Sequence, residues 1–232
     1  MKVAIAAVVS VMACWSSVAA AVPLRVMALD QCADQFVLAL APDAELGLSP
    51  RADDPDSWLR ADAQGHRRVR PTLEAAVGFR PDVAVRYWGG DARLLAALER
   101  DGVRTVTISD ATDMDEVRAN IHAVAQALGR PERGGALVQR MEAQLAKAEG
   151  AGRERKAVYV TASGFTSGPG SLMDAVLRAA GFRNAVERPG YQPLGLERVL
   201  LTPPALYVKG FFDLVRSDWR GAGRHPVMQR AM

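Results

Sequence analysis

The segment Pro71–Val85, PTLEAAVGFRPDVAV, returns in altered form at Pro193–Val208 as PLGLERVLLTPPALYV. Leu73-Glu74 opens the first copy and Leu196-Glu197 the second. Glu74 precedes Pro81 by the same seven residues that separate Glu197 from Pro204. An apolar run follows each proline, Val83–Val85 and Ala205–Val208. Each copy reads as a short helix carrying a glutamate, a proline stop, and a buried strand. Using the unit twice predicts two similar lobes.

Working outward, strand-like and helix-like segments alternate from residue 24, the pattern of an α/β fold with mostly parallel strands. Leu24–Leu29 predicts a strand, and Asp30 caps a helix with apolar positions Ala33, Phe36, Val37 and Leu40. Cys32 falls within that apolar pattern and is expected as a small core residue. Leu46–Leu48 predicts a further strand. Residues 50–72 predict loop around one short helix near Trp58. After the first copy, Asp91 caps a helix over Ala92–Arg100, and Val106–Ile108 closes the lobe. Two helices then follow without a strand between them. Asp113 and Glu116 form a capping-box pair at the start of the first. Pro131 suits the first turn of the second, which runs to Gly150 and is roughly 30 Å long at about 1.5 Å per residue. Strands resume at Ala157–Val160, and a helix over Leu172–Ala180 precedes the second copy. Only two strands stand out in that lobe. The expected division is a signal peptide at 1–21, an N-terminal lobe at 22–112, a helical connector at 113–150 and a C-terminal lobe at 151–232. The helix-like stretch from Pro226 has no stop signal before Met232, so the C-terminal lobe reads as incomplete.

The amino terminus has an export pattern. Lys2 precedes an apolar run, Val3–Trp15, with small residues at Ala19 and Ala21. The run is shorter than the ~20 residues of a membrane span. Val11-Met12-Ala13-Cys14 is similar to a lipoprotein box, so Cys14 is a possible lipid anchor. Both the free and the tethered form stay open. The 29 basic and 26 acidic residues are spread along the chain, which gives no footprint for nucleic acid.

Catalytic and metal signatures are thin. His66, His122 and His225 stand far apart, and no HExxH or paired cysteines occur. His122 reads as a surface residue. The Gly-rich stretch Ser163–Gly170 lacks the lysine and spacing of a P-loop, and it is no nucleophile elbow. No metal ligand, cofactor or enzyme activity is expected. Aromatic residues instead gather after the strands. Tyr87-Trp88-Gly89-Gly90 follows one, Ser163-Gly164-Phe165 another, and Lys209-Gly210-Phe211-Phe212 a third, with Tyr191 in a loop between the second and third. Ligands of open α/β sheets bind outside the carboxyl ends of strands, where glycine admits close approach and aromatic rings give broad flat contact. Phe211 and Phe212 read equally well as packing for the sheet edge.

In order and spacing, RVMALDQCADQFVLALA, LEAAVGFRPDVAV, WGGDARLLAALERDGVRTVTI, FTSGPGSLMDAVLRAAGFRN and LERVLLTPPALYV resemble the periplasmic substrate-binding proteins of ABC importers for cobalamin and ferric siderophores. The resemblance covers nearly all of residues 24–230. It implies two Rossmann-like lobes with mostly parallel sheets, bridged by one long helix, with the ligand between them. It further implies a monomeric, periplasmic receptor that hands a metal chelate to an ABC importer permease, with Glu74 and Glu197 docking on permease arginines. The ligand residues it implies are Gln31, Tyr87, Trp88, Gly89, Ser163, Phe165, Tyr191 and Phe211. Cobalamin is the preferred ligand. A ferric siderophore or haem is the alternative, with Arg86 and Arg51 the nearest arginines for an anionic chelate. An exported small-molecule enzyme is the rival of another class.

Overall fold

The computed structural model describes residues 22–55 and 57–210, together with residues 223, 225, 226 and 230. The expected signal peptide, Cys14, Phe211 and Phe212 lie outside the described residues.

The N-terminal lobe is built on a five-stranded parallel sheet. Along the chain run β1 (Arg25–Ala28), α1 (Gln31–Leu40), β2 (Glu45–Leu48), β3 (Arg67–Arg68), α2 (Leu73–Phe79), β4 (Val83–Arg86), α3 (Ala92–Arg100) and β5 (Arg104–Thr107). The spatial order is β3-β2-β1-β4-β5, and every pairing is parallel. Its central strands are buried on both faces, so they read as continuous apolar runs. Val26 and Ala28 belong to one core cluster with Val37, Leu40 and Val85. Met27 belongs to the other, with Phe79, Ala84 and Leu94.

Local chemistry sets the helix ends. Asp30, Thr72 and Asp91 each accept a hydrogen bond from the amide three residues on, the arrangement that satisfies an orphan helix donor. Such a cap contributes about 1 kcal/mol. Asp113 does the same for the helix that starts at Met114, while the Glu116 carboxylate reaches one residue further back, to the Thr112 amide and hydroxyl. At the end of α2, Arg80 adopts a left-handed conformation with φ of 51°, and Pro81 prevents the helix from resuming.

Two helices leave this lobe, α4 (Met114–Ala127) and α5 (Pro131–Ala148). They pack closely because Gly134 has no side chain. A Cβ there would stand 2.5 Å from the Ala125 Cβ. Leu137, Val138 and Met141 of α5 rest on the N-terminal core, and Asp43 ties down its first turn through Arg130 and Arg133. At 18 residues α5 spans about 27 Å.

The C-terminal lobe has its own sheet. Its elements are β6 (Lys156–Val160), β7 (Phe165–Ser167), α6 (Leu172–Ala179), β8 (Arg183–Asn184), β9 (Tyr191–Pro193), α7 (Leu196–Leu201) and β10 (Leu206–Lys209). β10, β6 and β8 form a parallel sheet, while β7 and β9 make a separate antiparallel ribbon. The order β8-β6-β10 matches β2-β1-β4 of the first lobe. In both, the strand ending the repeated segment lies beside the first strand of its lobe. The duplication seen in the sequence is therefore a duplication of topology.

Four expectations need correction. The strand that ends the second repeat copy, β10, is partly to fully exposed rather than buried, because it lies at the edge of its sheet among the described residues. The described residues between 50 and 66 form turns and bends, with no helix near Trp58 among them, and β3 follows. The C-terminal lobe holds more than two strands, since β7, β8 and β9 are present. Cys32 is exposed rather than in the core. The buried stripe of α1 runs through Ala33, Val37 and Leu40, and Cys32 sits one residue to its side.

Candidate functional site

The rim of the N-terminal lobe is assembled around the end of β1. Asp30 stands two residues past the last residue of that strand and is 2% exposed. Its Oδ2 accepts the backbone amides of Tyr87, Trp88 and Gly89 at 2.7, 3.0 and 2.8 Å. Arg86 closes the same turn from the other side, its Nε donating to the Gly89 carbonyl at 2.7 Å. Gly89 is itself buried, and a Cβ on it would lie 2.1 Å from the Leu29 carbonyl oxygen. Only glycine lets the turn rest against the strand end in this way. Gly90 follows with φ of +83°.

The turn sends the Trp88 side chain outward, 58% exposed. Tyr87 is half-buried, and its hydroxyl donates to the Asp110 carboxylate. That hydrogen bond, reinforced by burial, holds the phenol protonated and pushes its pKa up to about 12. Cys32 and Asp30 push weakly in the same direction. Gln31 donates from Nε2 to the Ser57 hydroxyl at 2.8 Å, and Gln35 accepts the Leu59 amide at 2.9 Å. These two bonds fasten the turns of residues 50–60 to α1. Between them stands Trp58, 80% exposed. Asp110 and Trp58 escaped the reading of the sequence. Trp58 was read only as the place of a short helix, and the partnership of Asp110 with Tyr87 spans 23 residues.

The rim of the C-terminal lobe starts at the end of β6. A tight turn returns the chain into β7, with the Thr161 amide donating to the Phe165 carbonyl and Gly164 at φ +83°. Ser163 sits in this turn, its hydroxyl 3.0 Å from that of Thr161. The β7–β9 ribbon then brings Phe165 and Tyr191 together as stacked rings, with centroids 4.9 Å apart and planes within 6°. Tyr191 is 61% exposed. The structure thus gathers Gln31, Tyr87, Trp88 and Gly89 on one lobe, and Ser163, Phe165 and Tyr191 on the other.

Glu74 and Glu197 are exposed, each in the first turn of its helix. α2 joins the parallel strands β3 and β4 and so begins at their carboxyl end, which sets Glu74 at the same end of its sheet as the Trp88 turn, whereas α7 is entered from the antiparallel strand β9. Two concavities of about 630 and 510 Å3 also lie in the C-terminal lobe. The first is lined by Glu154, Asp174 and Arg178, the second by Val158, Leu194 and Pro203, and neither includes a candidate binding residue.

Comparison with known proteins agrees with this architecture. Three of the solved structures that share the fold illustrate it. The periplasmic heme-binding protein RhuT from Roseiflexus sp. RS-1 superimposes with a TM-score of 0.64 at 22% identity, over 81% of this chain and 76% of that one. The periplasmic heme-binding protein HutB of Vibrio cholerae gives 0.66 at 15% identity, over 80% and 76%. The periplasmic vitamin B12 binding protein BtuF of Vibrio cholerae gives 0.58 at 21%, over 81% and 76%. No curated protein sequence matches the chain. The family model described as periplasmic binding protein matches residues 36–208. The chain belongs to the periplasmic binding protein family.

Proposed function

We propose that this protein is an exported receptor that captures a planar metal chelate of the tetrapyrrole type between its lobes and delivers it to an ABC importer. Cobalamin is the first candidate and haem the second. The observation that carries the reading is the pair of aromatic rims. Trp88 projects from one sheet's carboxyl end, and the stacked Phe165–Tyr191 pair projects from the other's. Flat rings offer a conjugated macrocycle large contact at low entropic cost. The similarity to structures titled as binding heme and vitamin B12 supports the same ligand class. The assigned role is capture and delivery without chemical turnover.

The test is binding of cyanocobalamin, haemin and a ferric hydroxamate, followed by visible absorbance and quenching of tryptophan fluorescence. Trp88→Ala is expected to weaken the retained chelate about 30-fold, as removal of a central aromatic contact does. Equal affinity for wild type and variant would remove Trp88 from the site.

Glu74 and Glu197 are proposed to dock on arginines of the permease. Carboxylate–arginine pairs are directional, and one on each lobe would orient the cleft over the pore. Glu74→Ala combined with Glu197→Ala is expected to cut receptor-stimulated transport about tenfold or more, with chelate affinity unchanged. Stimulation at the wild-type level in reconstituted vesicles would reject the docking role.

A further inference from the structure

We infer that Asp30 is the positioning residue of the N-terminal rim, a buried carboxylate that sets the Tyr87–Trp88–Gly89 turn before any ligand arrives. The part concerning affinity rests on the reading that Trp88 touches the chelate. The two oxygens of Asp30 have separate duties. Oδ1 accepts the Ala33 amide at 3.0 Å and caps α1. Oδ2 takes three consecutive amides, those of residues 87, 88 and 89, across at least 57 positions of sequence. Successive amides converging on one anion form a nest, here filled by a carboxylate of the protein itself. The bonds are charge-assisted and shielded from water, since Asp30 is buried.

A helix cap needs one acceptor, and serine, threonine or asparagine would serve. The second oxygen is what an aspartate adds, and everything bonded to it belongs to the rim. Without it, three amides would face a buried site with no acceptor, and the turn would leave the end of β1. The ligand would then have to order the turn as it bound, and that cost would appear as lost affinity. Gln31 follows Asp30 in the chain and binds Ser57, so the same strand end anchors both parts of the rim.

Asp30→Asn separates the two duties. It retains an oxygen for Ala33 but turns an NH2 group toward three N–H donors. Asp30→Ser keeps the cap and is too short to reach the turn. In ligand-free protein, amide hydrogen exchange at residues 87–89 is expected to accelerate at least ~10-fold in both variants, with the Ala33 amide still protected. Affinity for whichever of cyanocobalamin and haemin the wild type retains is expected to fall about tenfold, with no further loss when Trp88→Ala is already present. Unchanged exchange at residues 87–89 overturns the inference. So does an affinity loss that adds to that of Trp88→Ala, or loss of protection throughout the lobe in both variants, which would make Asp30 a general folding residue. If neither probe binds the wild type, the exchange result alone decides the positioning role, and the ligand assignment fails separately.

Discussion

Gly89→Ala lowers the thermal midpoint by about 6–12 °C, the equivalent of roughly 3 kcal/mol in a chain of this size. The added Cβ would stand 2.1 Å from the Leu29 carbonyl oxygen, which is backbone at the end of a central strand and has nowhere to go. Relief requires the turn to lift, and lifting it breaks the three amide bonds to Asp30. Gly78→Ala is the control. It lies in α2, exposed, with nothing within 4 Å of a Cβ, so the same substitution there raises stability by about 0.5–1 kcal/mol through helix propensity. Thermal melts of both variants, read by circular dichroism, check the pair. Equal midpoints would mean that the contact of the turn with β1 is not tight.

The second large effect is a dependence on pH centred on Asp34. This carboxylate is 0% exposed on the core side of α1. Its oxygens accept the Ser49 amide at 2.8 Å and the Ser49 hydroxyl at 2.6 Å. Burial away from water outweighs those two bonds and pushes its pKa up to about 6. The folded state therefore holds the proton more tightly than the unfolded chain. Its contribution is fully present below the unfolded value near 3.8 and is lost as pH rises through about 6. The shift corresponds to about 3 kcal/mol. Asp34→Asn retains an acceptor for the Ser49 amide and carries no charge. The variant is expected to exceed the wild type in stability by up to about 3 kcal/mol at pH 7.5, with the difference shrinking toward pH 4. Denaturant titrations of both proteins across that range measure it. A difference that stays constant with pH would show that Asp34 does not titrate in this window.

Much of the fold was legible in the sequence because it follows from local rules. Asp91 before an apolar stripe gave α3 its limits, and the observed helix is Ala92–Arg100 as read. The Leu-Glu segments gave α2–β4 and α7–β10, because proline stops and apolar runs act within a few residues. β3, β8 and β9 were not legible. At two or three residues they carry no alternation, and they exist as strands only through their partners. Cys32 was misplaced for a related reason. Periodicity gives the face of a helix, but the orientation of α1 on its sheet decided that Cys32 falls outside the buried stripe.

The candidate site divides in the same way. Sequence alone determined that glycines and aromatic side chains follow the strands, that Asp30 caps α1, and that the glutamates recur in matched frames. Each of these is a relation between near neighbours in the chain. Tertiary structure alone decided that the second oxygen of Asp30 holds a turn 57 residues away, that Tyr87 donates to Asp110, and that Phe165 stacks on Tyr191. Those contacts depend on which strand ends the sheet brings side by side, and strand order is set by packing among all the elements rather than by any one stretch of the chain.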